Sequence, residues 1–390
     1  MDALFEYQQL MLAKTTVSFF RYKYADLDWQ SRVFGIVGPR GVGKTTMLLQ
    51  HIKQHLSTAD TLYITADHLY FATHTLAEVA DAFYKQGGKH LFIDEVHKAN
   101  NWSQQLKQMI DTYSDMQIVF TGSSVLDIYH GLADLSRRAP VYEMQGLSFR
   151  EYLALYHHID TTPVTLEDIL RHRVAIPGVQ HPLPLFRQYL QEGYYPFAHE
   201  GFDYTTALMQ VVTRTMENDI PTYANLSVSV ARRLKMLLVV VAESVPFKPN
   251  YAKLAQVTGI SRNDISEYLY YMERAGMLMS LRDATAGIRG IGKVEKIYLD
   301  NTNLMYVLAP QNAEIGNVRE TFFLNQMRVR YSVVSSEVSD FVVNDCTFEV
   351  GGKNKGKRQI ATVPNAYIVK DDIEFGYQQT VPLWAFGLTY

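Results

Sequence analysis

Gly38-Pro39-Arg40-Gly41-Val42-Gly43-Lys44-Thr45 follows the apolar run Val33–Val37 and opens the helical pattern Thr45–Leu56. The spacing is G-x-x-x-x-G-K-[ST]. Its glycines let the backbone curl so that successive N–H groups face phosphate oxygens, and the helix that follows adds its positive end. Lys44 is placed to reach the β- and γ-phosphates of a nucleotide, and the Thr45 hydroxyl to ligate Mg²⁺. A glycine turn beside a solvated lysine is the plain alternative. The strand before the loop and the helix after it favour the phosphate site.

Outward from the loop, short β-branched or aromatic runs alternate with helical ones. Leu62–Thr65, Leu91–Asp94, Gln117–Thr121 and Val141–Met144 read as strands, and Leu76–Lys85, Trp102–Tyr113 and Val125–Leu135 as helices. With Val33–Val37, five strands alternating with helices predict an α/β domain, a parallel sheet with helices on both faces. In Leu91-Phe92-Ile93-Asp94-Glu95 a buried strand delivers Asp94 to the sheet edge beside the loop, where it can hold magnesium. Glu95 comes next and is placed to polarise a water for in-line attack on the γ-phosphate. Taken alone, such an acidic pair is a solvated strand end; the loop upstream changes its reading. The next strand ends in Thr121-Gly122-Ser123-Ser124. Ser123 or Ser124 would either hydrogen-bond the attacking water or γ-phosphate, or cap the following helix. Arg137-Arg138 precedes the fifth strand, and a guanidinium there can stabilise charge in phosphoryl transfer, often from a neighbouring subunit.

Composition limits the alternatives. The chain has 390 residues, 47% hydrophobic and 20% charged, which excludes wholesale disorder. One cysteine, Cys346, precludes an internal disulfide, and no Cys/His cluster has zinc spacing. The start MDALFEYQQL carries acids where a signal peptide needs bases, and the longest apolar run, Met236 to Ala242, is seven residues against the ~20 of a membrane helix. A cytoplasmic chain with no membrane partner is expected. A net charge of −3 lacks the basic excess of nucleic-acid proteins, so any such contact must be local.

The collection resembles the AAA-type branch of P-loop ATPases, in which a strand is inserted between the phosphate-loop strand and the Asp-Glu strand. It looks most like a prokaryotic family with an N-terminal AAA-type domain and a C-terminal domain of restriction-endonuclease-like character. GPRGVGKTT, LFIDEVHKA, FTGSS, SRRAPVYEMQGLSFREYL, GYYP, GNVRETFFLNQM and SDFVV with FEVGGK carry the likeness, over residues 38 to 353. The resemblance implies ATP rather than GTP, and extends the nucleotide-contacting set from Gly38, Pro39, Arg40, Gly41, Val42, Gly43, Lys44 and Thr45 to Thr46. It also places Arg138 where the family has its arginine, implying a homo-oligomer if the residue acts in trans. Arg137 stays open as the alternative finger.

The remainder divides into a helical region at 149–240, a winged-helix-like segment at 241–310 and an α/β end at 311–390, after an ATP-binding part at 1–148. Tyr251–Val257, the turn at Gly259 and Ser261–Arg274 read as helix-turn-helix, with Ser261 and Asp264 forming a capping box. Leu254, Val257, Ile260, Ile265, Leu269 and Met272 form its packed face. Leu278–Arg282 and Lys296–Leu299 make a wing whose loop holds Arg289 and Lys293. Arg262, Asn263 and Ser266 would touch double-stranded DNA; Asp264, Glu267 and Glu273 would oppose it, and a purely packing role is the alternative. In the last part Asp340 and Glu349, with Glu320 as a third acid, have nuclease-like spacing, but Gly351 stands where that chemistry needs a lysine. Lys353 or Lys355 would have to reach back from GGKNKGKR, otherwise a solvated loop or a phosphate contact. The expected function is Mg²⁺-dependent ATP hydrolysis coupled to C-terminal modules that act on a macromolecule. A non-hydrolysing switch and a DNA nuclease are the other readings.

Overall fold

Val33–Val37 is buried along its whole length, so both its edges need strand partners to satisfy its backbone. The computed structural model supplies them. It describes every residue except 123–134, 136–137, 199–200, 202, 285–291, 312, 353 and 357–359, in two units, Met1–Gly146 and Leu147–Tyr390.

The first unit holds β1 (Val33–Val37), β2 (Thr61–Thr65), β3 (His90–Asp94), β4 (Gln117–Gly122) and β5 (Val141–Glu143), and the helices α1 (Asp2–Lys14), α2 (Tyr22–Asp26), α3 (Lys44–His55), α4 (Leu76–Lys85) and α5 (Trp102–Thr112). Every strand pairing is parallel, in the order β2-β3-β4-β1-β5. β4 therefore lies between the phosphate-loop strand and the Asp-Glu strand, as the resemblance implied. The register sets Val37 opposite Gly122, Ile93 opposite Phe120 and Thr65 opposite Asp94. The loop after β1 and the carboxylates after β3 thus reach one edge of the sheet, the edge where α/β folds bind ligands. The helix expected at Val125–Leu135 falls almost wholly outside the described residues.

The sequence reading did not include α1, and its reason is visible at the sheet's free edge. Gln8 donates to the Thr61 carbonyl at 3.2 Å and accepts the Tyr63 N–H at 2.5 Å. One buried amide side chain so satisfies the edge of β2, which would otherwise template another strand. α4 starts at a capping box between Thr75 and Glu78, which quiets two orphan N–H groups.

The second unit opens with helices at Phe149–His157, Leu183–Glu192, Tyr204–Arg214 and Val228–Ala242. The LSFREYL segment proves architectural: Ser148 and Glu151 form a capping box, and Ser148 and Arg150 both donate to the main-chain oxygen of Tyr390, at 2.6 and 2.8 Å. Helices Tyr251–Thr258 and Arg262–Arg274 follow, joined at Gly259, with φ of 66°. An antiparallel pair comes next, β6 (Leu278–Arg282) and β7 (Val294–Leu299), with Phe247 bridged to Ile297. Ser261 accepts the Asp264 N–H at 3.2 Å, one half of the expected capping box. Val257 is 53% exposed and leaves the predicted packed face; Tyr268 is buried in that helix pair. The helix Ile315–Met327 precedes a mixed sheet of β8 (Val333–Ser335), β9 (Phe341–Val343), β10 (Cys346–Gly351), β11 (Ala366–Lys370) and β12 (Thr380–Pro382). β8, β9 and β10 run antiparallel, and β10, β11 and β12 parallel.

Candidate active site

The loop from Gly38 to Thr45 takes its shape from glycine. Gly43, at φ 94°, is the residue before α3, and a Cβ on Gly38 would sit 2.1 Å from the Met144 carbonyl oxygen. Arg21, which the sequence reading passed over, braces the loop from behind. Its buried guanidinium donates to the Val42 carbonyl and to those of Gln145 and Gly146, the last two at 2.7 and 2.8 Å. Pro39 and Val42 are buried, Arg40 is half-buried, and Gly41 and Thr46 are exposed. Lys44 is 5% exposed and donates to the Gly38 and Pro39 carbonyls at 2.8 and 2.9 Å. Its ammonium is thus held over the loop that would receive the phosphates.

Thr45 and Asp94 meet: the threonine Oγ1 donates to Asp94 Oδ2 at 2.7 Å. Tyr63, on β2, donates to the same oxygen at 3.0 Å, and Thr121 donates to Oδ1. Neither Tyr63 nor Thr121 was singled out as a carboxylate partner from sequence; a polar side chain inside an otherwise apolar strand was the available signal. Burial, then the neighbouring Glu95 charge, pushes the Asp94 carboxyl above its ordinary range, while the three hydroxyls work the other way. Its hydrogen bonds come from neutral groups, so a cation would relieve this buried charge. Hydroxyl and carboxylate oxygens are the hard donors Mg²⁺ prefers, and that ion takes few protein ligands beside phosphate and water. Thr45 and Asp94 fit it. Among the described residues no group of three or more His, Cys, Asp or Glu forms a metal cage.

Glu95 leaves β3 in the left-handed region, φ 51°. Its N–H donates to Thr121 Oγ1 at 3.1 Å, and its carboxylate lies 3.4 Å from His97 Nε2. Loop amine, hydroxyl, buried carboxylate and second acid therefore gather at one sheet edge.

Residues 30–153 match the family model of an AAA domain. This part of the chain, less than half of it, is similar to AAA domains. Residues 183–314 match a domain of unknown function, DUF8612. No curated protein matches the chain. Similar solved structures include the Walker-type ATPase PABY2304 of Pyrococcus abyssi, at 11% identity and TM-score 0.47 over 76% of this chain and 99% of that one. The Hsp104–ADP complex of S. cerevisiae is similar at 16% identity and TM-score 0.33, over 69% and 42% of the two chains. A katanin structure concerned with self-assembly is similar at 14% and 0.25, over 42% and 58%. These overlaps are too loose to add to the family match.

Elsewhere in the first unit, Ser123, Ser124 and Arg137 lie outside the described residues. Arg138 forms a two-pronged pair with Asp111, Nε to Oδ1 at 2.8 Å and a terminal nitrogen to Oδ2 at 3.2 Å. Asp111 ends α5, just before β4 begins, and Arg138 stands just before β5. Both sit where strands start, the sheet edge opposite the phosphate loop.

In the second unit Arg262, Asn263 and Ser266 are exposed at the start of their helix, as expected. Glu273, read as an obstacle to phosphate, is neutralised: it accepts from Ser280 N and Oγ at 3.1 and 2.9 Å and pairs with Arg282 at 3.2 Å. Arg289 lies outside the described residues, and Lys293 pairs with Glu295 at 3.2 Å. Of the two lysines offered in place of Gly351, Lys355 is the one that reaches back. A Cβ there would lie 2.7 Å from Lys355 Cγ, and across that vacancy Lys355 pairs with the buried carboxylate of Glu349. The loop is thus no bar to holding an amine beside the acid. Lys296 bridges Glu320 and Asp340, at 3.2 and 3.6 Å. Burial, with Glu320 and Glu349 nearby, pushes the Asp340 carboxyl up to about 6. Every one of these acids has a lysine partner, and Lys353, Lys357 and Arg358 lie outside the described residues. Among the described residues no helix is long and apolar enough to cross a membrane.

Proposed function

We propose that the protein binds ATP at the loop Gly38–Thr46 and hydrolyses it. The observation that carries this is the meeting of Thr45 with buried Asp94, one residue before Glu95, at the edge where Lys44 crowns the loop. On phosphate arrival Lys44 exchanges two carbonyls for β- and γ-oxygens, trading weak acceptors for charged ones. Thr45 and Asp94 would hold Mg²⁺, which when bound would neutralise charge on the phosphates. Glu95 accepts a proton from the attacking water, and Ser123 or Ser124 orients that water or the γ-phosphate. Arg138, on the edge away from its own loop, serves the loop of a second copy, released from Asp111 as the two meet. Turnover is then slow in an isolated chain and rises on assembly.

The same reading divides the chain at 1–148, 149–240, 241–310 and 311–390, in a cytoplasmic protein. The third part is a winged helix, supported by the Gly259 turn, the β6–β7 pair and the Phe247 bridge. Duplex DNA is its proposed partner, because Glu273 is neutralised within the module while Arg262 is exposed at the helix start.

Nucleotide binding and turnover of Lys44→Ala test the first part. A severe loss is expected, and wild-type affinity and turnover would refute the assignment. For the second, Arg262→Ala is expected to flatten the dependence of log affinity on log salt by ~0.9 if Arg262 meets one phosphate. An unchanged slope would leave the module a packing element.

A further inference from the structure

Asp94 ends β3 between two strands that each send it a hydroxyl. On β4, Phe120 stands opposite Ile93, so Thr121 comes level with Asp94 and donates to Oδ1. On β2, Thr65 stands opposite Asp94, and Tyr63 lies two residues back on the same face of the sheet. Such a diagonal is within reach of an aromatic side chain, and the Tyr63 hydroxyl arrives 3.0 Å from Oδ2. Facing an ionised carboxylate, a phenol donates. The tyrosine itself is fixed in place. It is 1% exposed, its N–H is taken by Gln8, and its ring lies at 14° to that of Tyr7, with centroids 6.4 Å apart. Both of those neighbours stand on α1.

Oδ2 is also the oxygen that Thr45 reaches, at 2.7 Å, so Tyr63 acts on the side of the carboxylate that meets the phosphate loop. Hydrogen bonds behind a ligating carboxylate set its direction, and losing one typically costs ~10–100-fold in metal affinity or activity. We infer that Tyr63 is a positioning residue for the magnesium site, holding Asp94 from β2 in the direction a cation beside Thr45 requires. The inference rests on the reading of Thr45 and Asp94 as the residues that would hold Mg²⁺. It gives Tyr63 no contact with nucleotide. The hydroxyl therefore matters to the affinity that magnesium adds, and not to what Lys44 and the loop supply without metal. A tyrosine that only filled the core would affect both alike, or neither.

The test is ADP affinity of the full chain, measured with Mg²⁺ and with EDTA, with melting temperature read on the same samples. Tyr63→Phe keeps the ring and its packing against Tyr7 and removes one hydroxyl. The gain in affinity that Mg²⁺ brings is expected to shrink ~10-fold or more, while affinity in EDTA holds and shows that the loop is intact. In Asp94→Asn that gain is already lost, and adding Tyr63→Phe should remove nothing further, since the two act as one unit. An undiminished gain in Tyr63→Phe, or equal losses with Mg²⁺ and with EDTA, overturns the positioning role and leaves the nucleotide site standing. A further loss of the gain in the double variant overturns it as well. If wild type binds ADP but gains nothing from Mg²⁺, the metal reading falls and Tyr63 with it. Wild type that binds no ADP removes the proposed function and this inference together.

Discussion

Replacing Asp94 by asparagine should make the protein more stable and less able to respond to nucleotide. The carboxylate is 3% exposed, its three hydrogen bonds come from Thr45, Tyr63 and Thr121, and burial with the adjacent Glu95 raises its pKa. An asparagine keeps the two bonds at Oδ2 with its carbonyl and donates its amide to Thr121, whose hydroxyl can accept. Geometry survives while an uncompensated buried charge disappears. A gain of ~1–2 kcal/mol is reasonable by comparison with the ~1–3 kcal/mol at stake in an unsatisfied buried group. For a unit of about this size each kcal/mol moves the midpoint ~2–4 °C, so the nucleotide-free melt should rise by ~2–8 °C. The wild type at a hundred times its dissociation constant gains ~2.7 kcal/mol from ligand, a shift of ~5–10 °C. A hundredfold loss of affinity in Asp94→Asn leaves ~0.4 kcal/mol, about 1 °C. Thermal melts with and without Mg-ADP read both numbers. A lower nucleotide-free midpoint together with an intact Mg-ADP shift would refute the reasoning, for Asp94 would then be a structural acid.

Two further outcomes follow from groups away from the loop. His51 stacks on Trp29 at 3.9 Å, and burial, with His55 and His90 nearby, lowers its pKa from 6.5 to about 4. The unfolded chain takes this proton below pH 6.5 and the folded one only near 4, so stability should be full above pH 6.5 and fall between these values, by about 3 kcal/mol at most; His51→Asn should flatten that acid limb in melts against pH, and an unchanged limb would exclude His51 as its source. Gly351→Ala should push Lys355 off Glu349, since the added carbon would lie 2.7 Å from Lys355 Cγ. With the acid left buried beside no cation, about 1–3 kcal/mol and ~2–12 °C of midpoint should be lost, and an unmoved midpoint would mean the loop simply yields.

Much of the first unit was legible from residues alone because a phosphate-loop pattern constrains its backbone. The glycines of the loop and the apolar strand ending in Asp94-Glu95 are local patterns with one mechanical meaning, and the strands came out within a residue of their ends. What escaped was reached through space. Gln8 closes the edge of β2, Arg21 braces Val42, and Tyr63 and Thr121 meet at Asp94; none has a sequence spacing that announces its partner. The C-terminal sheet shows the same limit. β12 has three residues and ends in a proline, so it did not stand out from loop. At Gly351 the sequence left Lys353 and Lys355 as equal substitutes, because spacing alone cannot show which of them crosses the gap the glycine leaves. Val257 was assigned to a packed face by helical period, yet its side chain is about half exposed.

The central claim is that this site performs chemistry on ATP rather than merely binding it, and Glu95→Gln tests it most directly. The exchange preserves size and hydrogen bonding and removes only the carboxylate charge. Turnover at saturating Mg-ATP and nucleotide affinity should be measured for wild type and variant at equal protein concentration. The account predicts that affinity stays within a few-fold while kcat falls by ~10²-fold or more. An undiminished kcat would contradict it.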